Sequence, residues 1–404
     1  MLQLEIMKKI KNDFPIFQQT MNGHPLIYLD SAATSQKPRA VMHAIQEFYG
    51  KHNSNVHRSV HKLGEEASEM FESARKNIAN FIGANHREII FTKNATESLN
   101  LAANCISKSR LTKNDLVTFT ELEHHSNIVP WLMLDTKKSA VKINNEGVLD
   151  EESLNEEMEK NPKVFAFTHV SNAIGTINNA EYLCKRAKEA GALSVVDATQ
   201  SVPHMPIDVK KLDCDFMAFS GHKMLGPTGI GILYIREELM ETLPPFLGGG
   251  DMIKEVYLDH FTTAKPPAKF EAGTPPIAEV IGLSAAVDYL NAIGMSNVAD
   301  HERSIVKKSF EALDQIDKLR IFGPRKNRIA VMTFEVEGVP SHDMASILDS
   351  QGIAIRAGHQ CAMPVHQKLG IESSNRASFY IYNDEEDVEA LAQGIKHAKK
   401  VFGV

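Results

Sequence analysis

Cysteine is scarce in this chain: 4 among 404 residues, at positions 105, 184, 214 and 361, with no two forming a CxxC pair. That scatter gives no support to a zinc or thioredoxin-like site, and a reducing, cytoplasmic compartment is the simplest expectation. Excess positive charge is missing too. The 44 lysines and arginines face 51 acids, for a net charge of −7, and no basic run is long, so nucleic acid is not an expected partner. No apolar stretch approaches the roughly 18 residues of a membrane span, so no membrane partner is expected. The start, MLQLEIMKKIKNDF, places apolar residues at helical spacing but lacks the apolar core and cleavage site of a signal peptide. No Walker A pattern occurs, and GPTGIG lacks the order and following helix of a dinucleotide site. His57 and His61 have the i, i+4 spacing of a metal pair, but HRSVH lacks the glutamate of a zinc protease, so no metal is expected.

What is present is ordinary globular composition, 43% hydrophobic and 24% charged, arranged in alternating blocks. REIIFT (87–92), DLVTFT (115–120), KVFAFTHV (163–170), ALSVVDAT (192–199), DFMAFS (215–220) and GIGILYIR (229–236) read as short strands, apolar on both faces. Helical patterns such as 96–108 and 181–190 lie between them, which predicts an α/β fold with a mainly parallel sheet. The last third predicts helices at 277–294, 298–316 and 385–402 around strands RIAVMTFEVEG, IAIRAG and ASFYIYN, a smaller α+β domain. The change falls near the Pro/Gly-rich stretch 263–276. The expected division is a large domain over 25–285 and a small one from 1–24 and 286–404.

Polar residues collect where the strands end, the edge on which chemistry gathers in parallel α/β sheets. They are Thr96, His124 with His125, Asn172, Asp197 with Gln200, and Ser220, His222 and Lys223. Thr96 alone reads as a helix N-cap and Asn172 as a turn residue. Together they match the needs of pyridoxal phosphate. A desolvated lysine suits a Schiff base. An acid can hold the protonated ring nitrogen, a helix start the phosphate, and a flat histidine can cover the ring.

A second stretch, IAIRAGHQCAMP (353–364), puts Cys361 in a polar loop beside Arg356 and His359, surroundings that favour a thiolate. Spacing alone leaves open an incidental loop cysteine. Cys105, Cys184 and Cys214 read as structural or incidental.

Ten stretches in order then carry a resemblance: YLDSAATSQKP (28–38), NSNVHRSVH (53–61), TKNATESLN (92–100), EHHSNIVPW (123–131), HVSNAIGTIN (169–178), VDATQSVPH (196–204), DFMAFSGHKMLGPTGIG (215–231), FEAGTP (270–275), RAGHQCA (356–362) and RASFYIYN (376–383). Over essentially its whole length the chain resembles type II cysteine desulfurases, the SufS/CsdA group of the aminotransferase class V family. The resemblance implies fold type I of the pyridoxal-phosphate enzymes, with a seven-stranded sheet. It implies conversion of L-cysteine to L-alanine, with the sulfur kept as a persulfide on Cys361 for an iron–sulfur cluster assembly acceptor of SufE or SufU type. Lys223 would hold the cofactor as a Schiff base and move protons. Asp197 would partner the ring nitrogen, Gln200 the ring hydroxyl, and His124 would stack on the ring. Asn172 would contact cofactor and substrate. Thr96, Ser220 and His222 would bind the phosphate, with Thr274 reaching it from the other subunit of a homodimer. Arg376 and Asn172 would hold the substrate carboxylate, and Arg356 and His57 would line the site. Selenocysteine lyase activity is the nearest alternative, and a non-catalytic docking role the more distant one. Ala95, Ala198, Ser59 and Gln360 depart from the residues usual in the family.

Overall fold

A computed structural model describes residues 10–404; most of the helical pattern expected at the start of the chain lies outside the described residues. Seven strands form the main sheet: Ile89–Thr92 (β1), Leu116–Thr120 (β2), Lys137–Val141 (β3), Val164–Thr168 (β4), Leu193–Asp197 (β5), Phe216–Ser220 (β6) and Gly231–Ile235 (β7). Their spatial order is β1-β7-β6-β5-β4-β2-β3. The pairs from β6 through β3 are parallel, and β7 runs antiparallel to both neighbours. The mainly parallel α/β sheet is therefore as expected. Six of its strands coincide with the apolar runs. The seventh, β3, carries KKSAV and is largely half-exposed at the sheet edge, so it has no apolar signature.

Residues alternate between two cores, as the period of a strand requires. Phe165 and Phe167 of β4 point to one face, with Lys62–Phe81 (α1), Ala180–Glu189 (α3) and Ile277–Ile293 (α4) packed there. Val164 and Ala166 point to the other, under Ala95–Arg110 (α2). Burial on both faces explains why β4 and β6 contain almost no charge.

After α4 the chain builds Met295–Leu313 (α5), Leu319–Phe322 (β8), Val331–Val336 (β9), Arg356–Gly358 (β10), Met363–Leu369 (α6), Ser374–Ser378 (β11) and Glu385–Phe402 (α7). The strands form an antiparallel sheet, β8-β9-β11-β10, with its own core. Two expected strands differ in detail. IAIRAG divides: Ile353–Ala354 pairs with Ile27–Tyr28, and only Arg356–Gly358 joins the small sheet. In ASFYIYN the ladder stops at Ser378, because a turn closes in which Asn383 Oδ1 accepts from the Tyr380 N–H. Among the described residues no single helix is long and apolar enough to cross a membrane.

Candidate active site

The C-terminal ends of β1, β2, β4, β5 and β6 open on one edge of the main sheet, as parallel pairing requires. A cavity of about 330 Å³ lies there. Its wall carries Thr96 after β1, His124 after β2 and Asn172 after β4. Asp197 and Gln200 follow from β5, and Ser220, His222 and Lys223 from β6. The small sheet closes the cavity with Arg356 and Arg376, and the turn after β10 adds Cys361. Eleven expected site residues thus meet in one place. Two do not line it in the single chain. Thr274 is exposed, and His57 is exposed with its Nε2 3.0 Å from Glu72 Oε1. His61 has a structural task, accepting from the Gly64 N–H to cap α1.

The start of α2 supplies backbone donors. Asn94, not Thr96, is the N-cap: its Oδ1 accepts from the Glu97 N–H at 3.0 Å, and Thr96 is the second helical residue. The Ala95 N–H donates to Ser220 Oγ at 2.8 Å. Among the described residues the Thr96 N–H has neither a side-chain nor a backbone acceptor, the arrangement that draws a phosphate to a helix N-terminus. Close approach fixes this end, since a Cβ on Gly231 would stand 2.4 Å from Asn94 Cα.

Lys223 ends a short turn, Gly221–Lys223, that leaves β6. The carbonyl just before it, of His222, accepts four hydrogen bonds: from Ser35 N–H (3.0 Å), Ser35 Oγ (3.1 Å), Thr34 Oγ1 (3.1 Å) and Lys37 Nζ (2.8 Å). Those donors come from the YLDSAATSQKP stretch. Burial pushes the Lys223 amine down to about 8, with the Asp197 charge pulling the other way. Burial, and then the charge of Lys223, push His124 and His222 each down to about 4. His124 Nδ1 accepts from the Ser126 N–H at 3.0 Å, so the neutral ring carries its proton on Nε2. Asp197 Oδ1 accepts from the Thr199 N–H.

On the small-domain side, Arg376 is buried. It donates from Nη1 to the Asn172 carbonyl (2.8 Å) and from Nη2 to Asp30 Oδ1 (3.1 Å). Arg356 forks onto the same carboxylate. Asp30 was not among the expected site residues. Asn172 Nδ2 donates to the Gln360 carbonyl at 2.6 Å. Cys361 is exposed, whereas the other three cysteines are buried. Burial pushes the thiols of Cys105 and Cys184 up to about 12 and that of Cys214 up as well. The Gln360 side chain turns inward, donating to the Ser374 carbonyl.

These groups fit pyridoxal phosphate. Among the described residues Lys223 offers an amine with no hydrogen-bonded acceptor and Thr96 a free N–H, with the Asp197 carboxylate on the same cavity wall. Gln200 donates from Nε2 to the Ala32 carbonyl, which leaves its Oε1, like Thr199 Oγ1, buried and unmet on the cavity wall. Buried polar atoms of this kind need a partner.

The Aminotransferase class-V model matches residues 27–391. A probable cysteine desulfurase of Streptomyces coelicolor is 48% identical, over 98% of this chain and 97% of its own length. The apo cysteine desulfurase of Thermococcus onnurineus superposes with a TM-score of 0.92 at 42% identity, covering 97% of this chain and 98% of that one. The cysteine desulfurase CsdA of Escherichia coli, in an S-sulfonic acid form, gives 0.91 at 37%, covering 98% and 99%. With a family model that runs through both sheets and relatives that align almost end to end, the chain belongs to the aminotransferase class V family.

Proposed function

We propose that this protein is a cytoplasmic, pyridoxal-phosphate-dependent cysteine desulfurase that takes sulfur from L-cysteine onto Cys361 and releases L-alanine. The observation that carries the reading is that Lys223 and Cys361, 138 positions apart in the sequence, line one cavity. Bound at Lys223, the cofactor supplies an electron sink for the substrate's Cα.

The chain's residues supply the rest. Lys223 holds the cofactor through its amine and, once free, carries a proton at Nζ. Asp197 holds the ring nitrogen's proton and Gln200 attends the ring hydroxyl. His124, neutral at pH 7, covers the ring and can take a proton. The Thr96 N–H, Ser220 and His222 hold the phosphate. Arg376 with Asn172 orients the substrate carboxylate, with Arg356 beside them, because a guanidinium fork matches a carboxylate. The Cys361 thiolate attacks the substrate sulfur. An S–S bond forms as the substrate's Cβ–S bond breaks, and the carbon side keeps the electron pair until protonated. A homodimer is supported by the antiparallel hairpin of Ile253–Val256 and Phe261–Thr263, at whose tip Tyr257 and Leu258 are exposed, and would bring Thr274 and His57 to the partner's cavity. The persulfide would pass to an acceptor protein of SufE or SufU type for iron–sulfur cluster assembly.

Mass spectrometry after L-cysteine treatment tests the reading. Expected is a gain of one sulfur on Cys361, reversed by reductant, with turnover abolished in Cys361→Ala. No adduct under turnover, or full turnover in that variant, overturns it.

A further inference from the structure

We infer that His125 is a positioning residue that clamps the turn carrying Cys361. The sequence places two histidines side by side, and only His124 lines the cavity. His125 points instead at the cysteine turn and holds it twice. Its backbone N–H donates to the Cys361 carbonyl at 2.9 Å, and its Nε2 accepts from the Met363 N–H at 3.1 Å. One residue therefore ties the chain on both sides of Ala362.

The turn needs such ties. Gln360 and Cys361 have φ of +48° and +56°, a left-handed conformation that costs energy in residues other than glycine and persists only when surroundings impose it. Asn172 Nδ2 secures the carbonyl of Gln360, and the Ala362 N–H closes on the His359 carbonyl. His125 secures the stretch from the Cys361 carbonyl to the Met363 N–H. For Nε2 to accept, the ring must be neutral. Burial, and then the nearby His359, hold its pKa below the usual imidazole value. Because His124 and His125 share a peptide bond, the group over the cofactor site and the clamp on the thiol are set in one geometry. The clamp fixes where Cys361 Sγ stands relative to the cavity.

The inference rests on Cys361 being the sulfur-accepting thiol, but its first readout does not. In the intact holoprotein, His125→Ala is expected to speed amide hydrogen exchange at Met363 about fivefold, the factor one hydrogen bond supplies. Alkylation of Cys361 by iodoacetamide should accelerate with it. The kcat for cysteine should fall several-fold with KM and the cofactor's visible absorbance unchanged. His125→Gln, whose Oε1 can accept near the place of Nε2, should restore all three; His125→Asn, which reaches less far, should not. Unchanged exchange and alkylation in His125→Ala overturn the clamp, as does faster exchange with an unaltered kcat. If His125→Ala does not fold, equal exchange in the Gln and Asn variants overturns it. Turnover that survives Cys361→Ala would instead sink the desulfurase reading and leave the exchange result standing.

Discussion

Arg356 and Arg376 stand directly opposite each other on β10 and β11, and the carboxylate of Asp30 lies between their guanidinium groups. Like charges facing across a ladder repel, and Arg376 is only 2% exposed, so Asp30 makes this pair tolerable. Removing one member of a buried ion pair costs about 3–5 kcal/mol. Asp30→Ala is therefore expected to destabilise the cofactor-free protein by about 3 kcal/mol in urea unfolding, near the lower limit because Arg356 is partly exposed. Adding Arg356→Ala should recover part of the loss by lifting the repulsion. An unchanged midpoint in the single variant would show that Asp30 does not compensate the arginines.

Lysine titration gives a second test. Burial pushes Lys37 down to about 7 and Lys223 down to about 8, from an ordinary value of 10.5. Below those folded values both amines are charged in either state, and the burial penalty is felt in full. Above them the unfolded chain binds more protons than the folded one, so stability rises with pH. Between pH 7 and about 8.5 the two lysines should add roughly 2 kcal/mol to the cofactor-free protein, and Glu123, whose carboxyl burial pushes up to about 8, should remove about 1 with the opposite sign, a net gain of roughly 1 kcal/mol. Further up, the buried thiols oppose the gain, because their folded values lie above their unfolded ones and the sign reverses. The double variant Lys37→Met with Lys223→Met should abolish the rise in urea midpoints and leave the fall that Glu123 sets; an unaltered slope would place the titration elsewhere.

The four donors on the His222 carbonyl give a third. Lys37 Nζ is the shortest of them at 2.8 Å, and it ties the turn that presents Lys223. Lys37→Met removes that donor without touching the cavity wall. Cofactor retention in equilibrium dialysis should weaken about fivefold, the equivalent of one hydrogen bond. Retention equal to the parent's would mean that Ser35 and Thr34 suffice to hold the turn.

These tests separate what the sequence displays from what only packing creates. The six apolar strands and the polar residues closing them were legible because burial on both faces writes an unbroken apolar run. β3 was not, since an edge strand of Lys, Ser and Ala needs only a neighbour's ladder to form. Cys361 was legible as the one cysteine in a polar loop. Asp30 was not, because its meaning depends on two arginines more than 320 residues away. Thr96 looks like a cap in the sequence because it follows a strand, but Asn94, two residues earlier, has the side chain that reaches back to the helix. In the sequence His125 is visible only as half of a histidine pair, since its partners, Cys361 and Met363, lie on a distant loop.

The last prediction joins the fold to the cofactor. A Cβ at Gly231 would stand 2.4 Å from the Asn94 Cα and carbonyl carbon and 2.7 Å from its nitrogen, all backbone atoms. β7 is held between β1 and β6 and cannot retreat. The strain must therefore go into the connection that carries the N-cap of α2. In Gly231→Ala the Ala95–Ser220 hydrogen bond and the free Thr96 N–H are displaced together. Overpacking of this kind costs about 1–3 kcal/mol, read as a lower urea midpoint. Affinity for pyridoxal phosphate, titrated by its visible absorbance, should fall at least about tenfold, because two charge-assisted contacts to the phosphate move at once. Ser220→Ala, which removes the tie but leaves Asn94 in place, should lose affinity with little loss of stability. If both variants bind the cofactor as tightly as the parent, the start of α2 does not hold the phosphate.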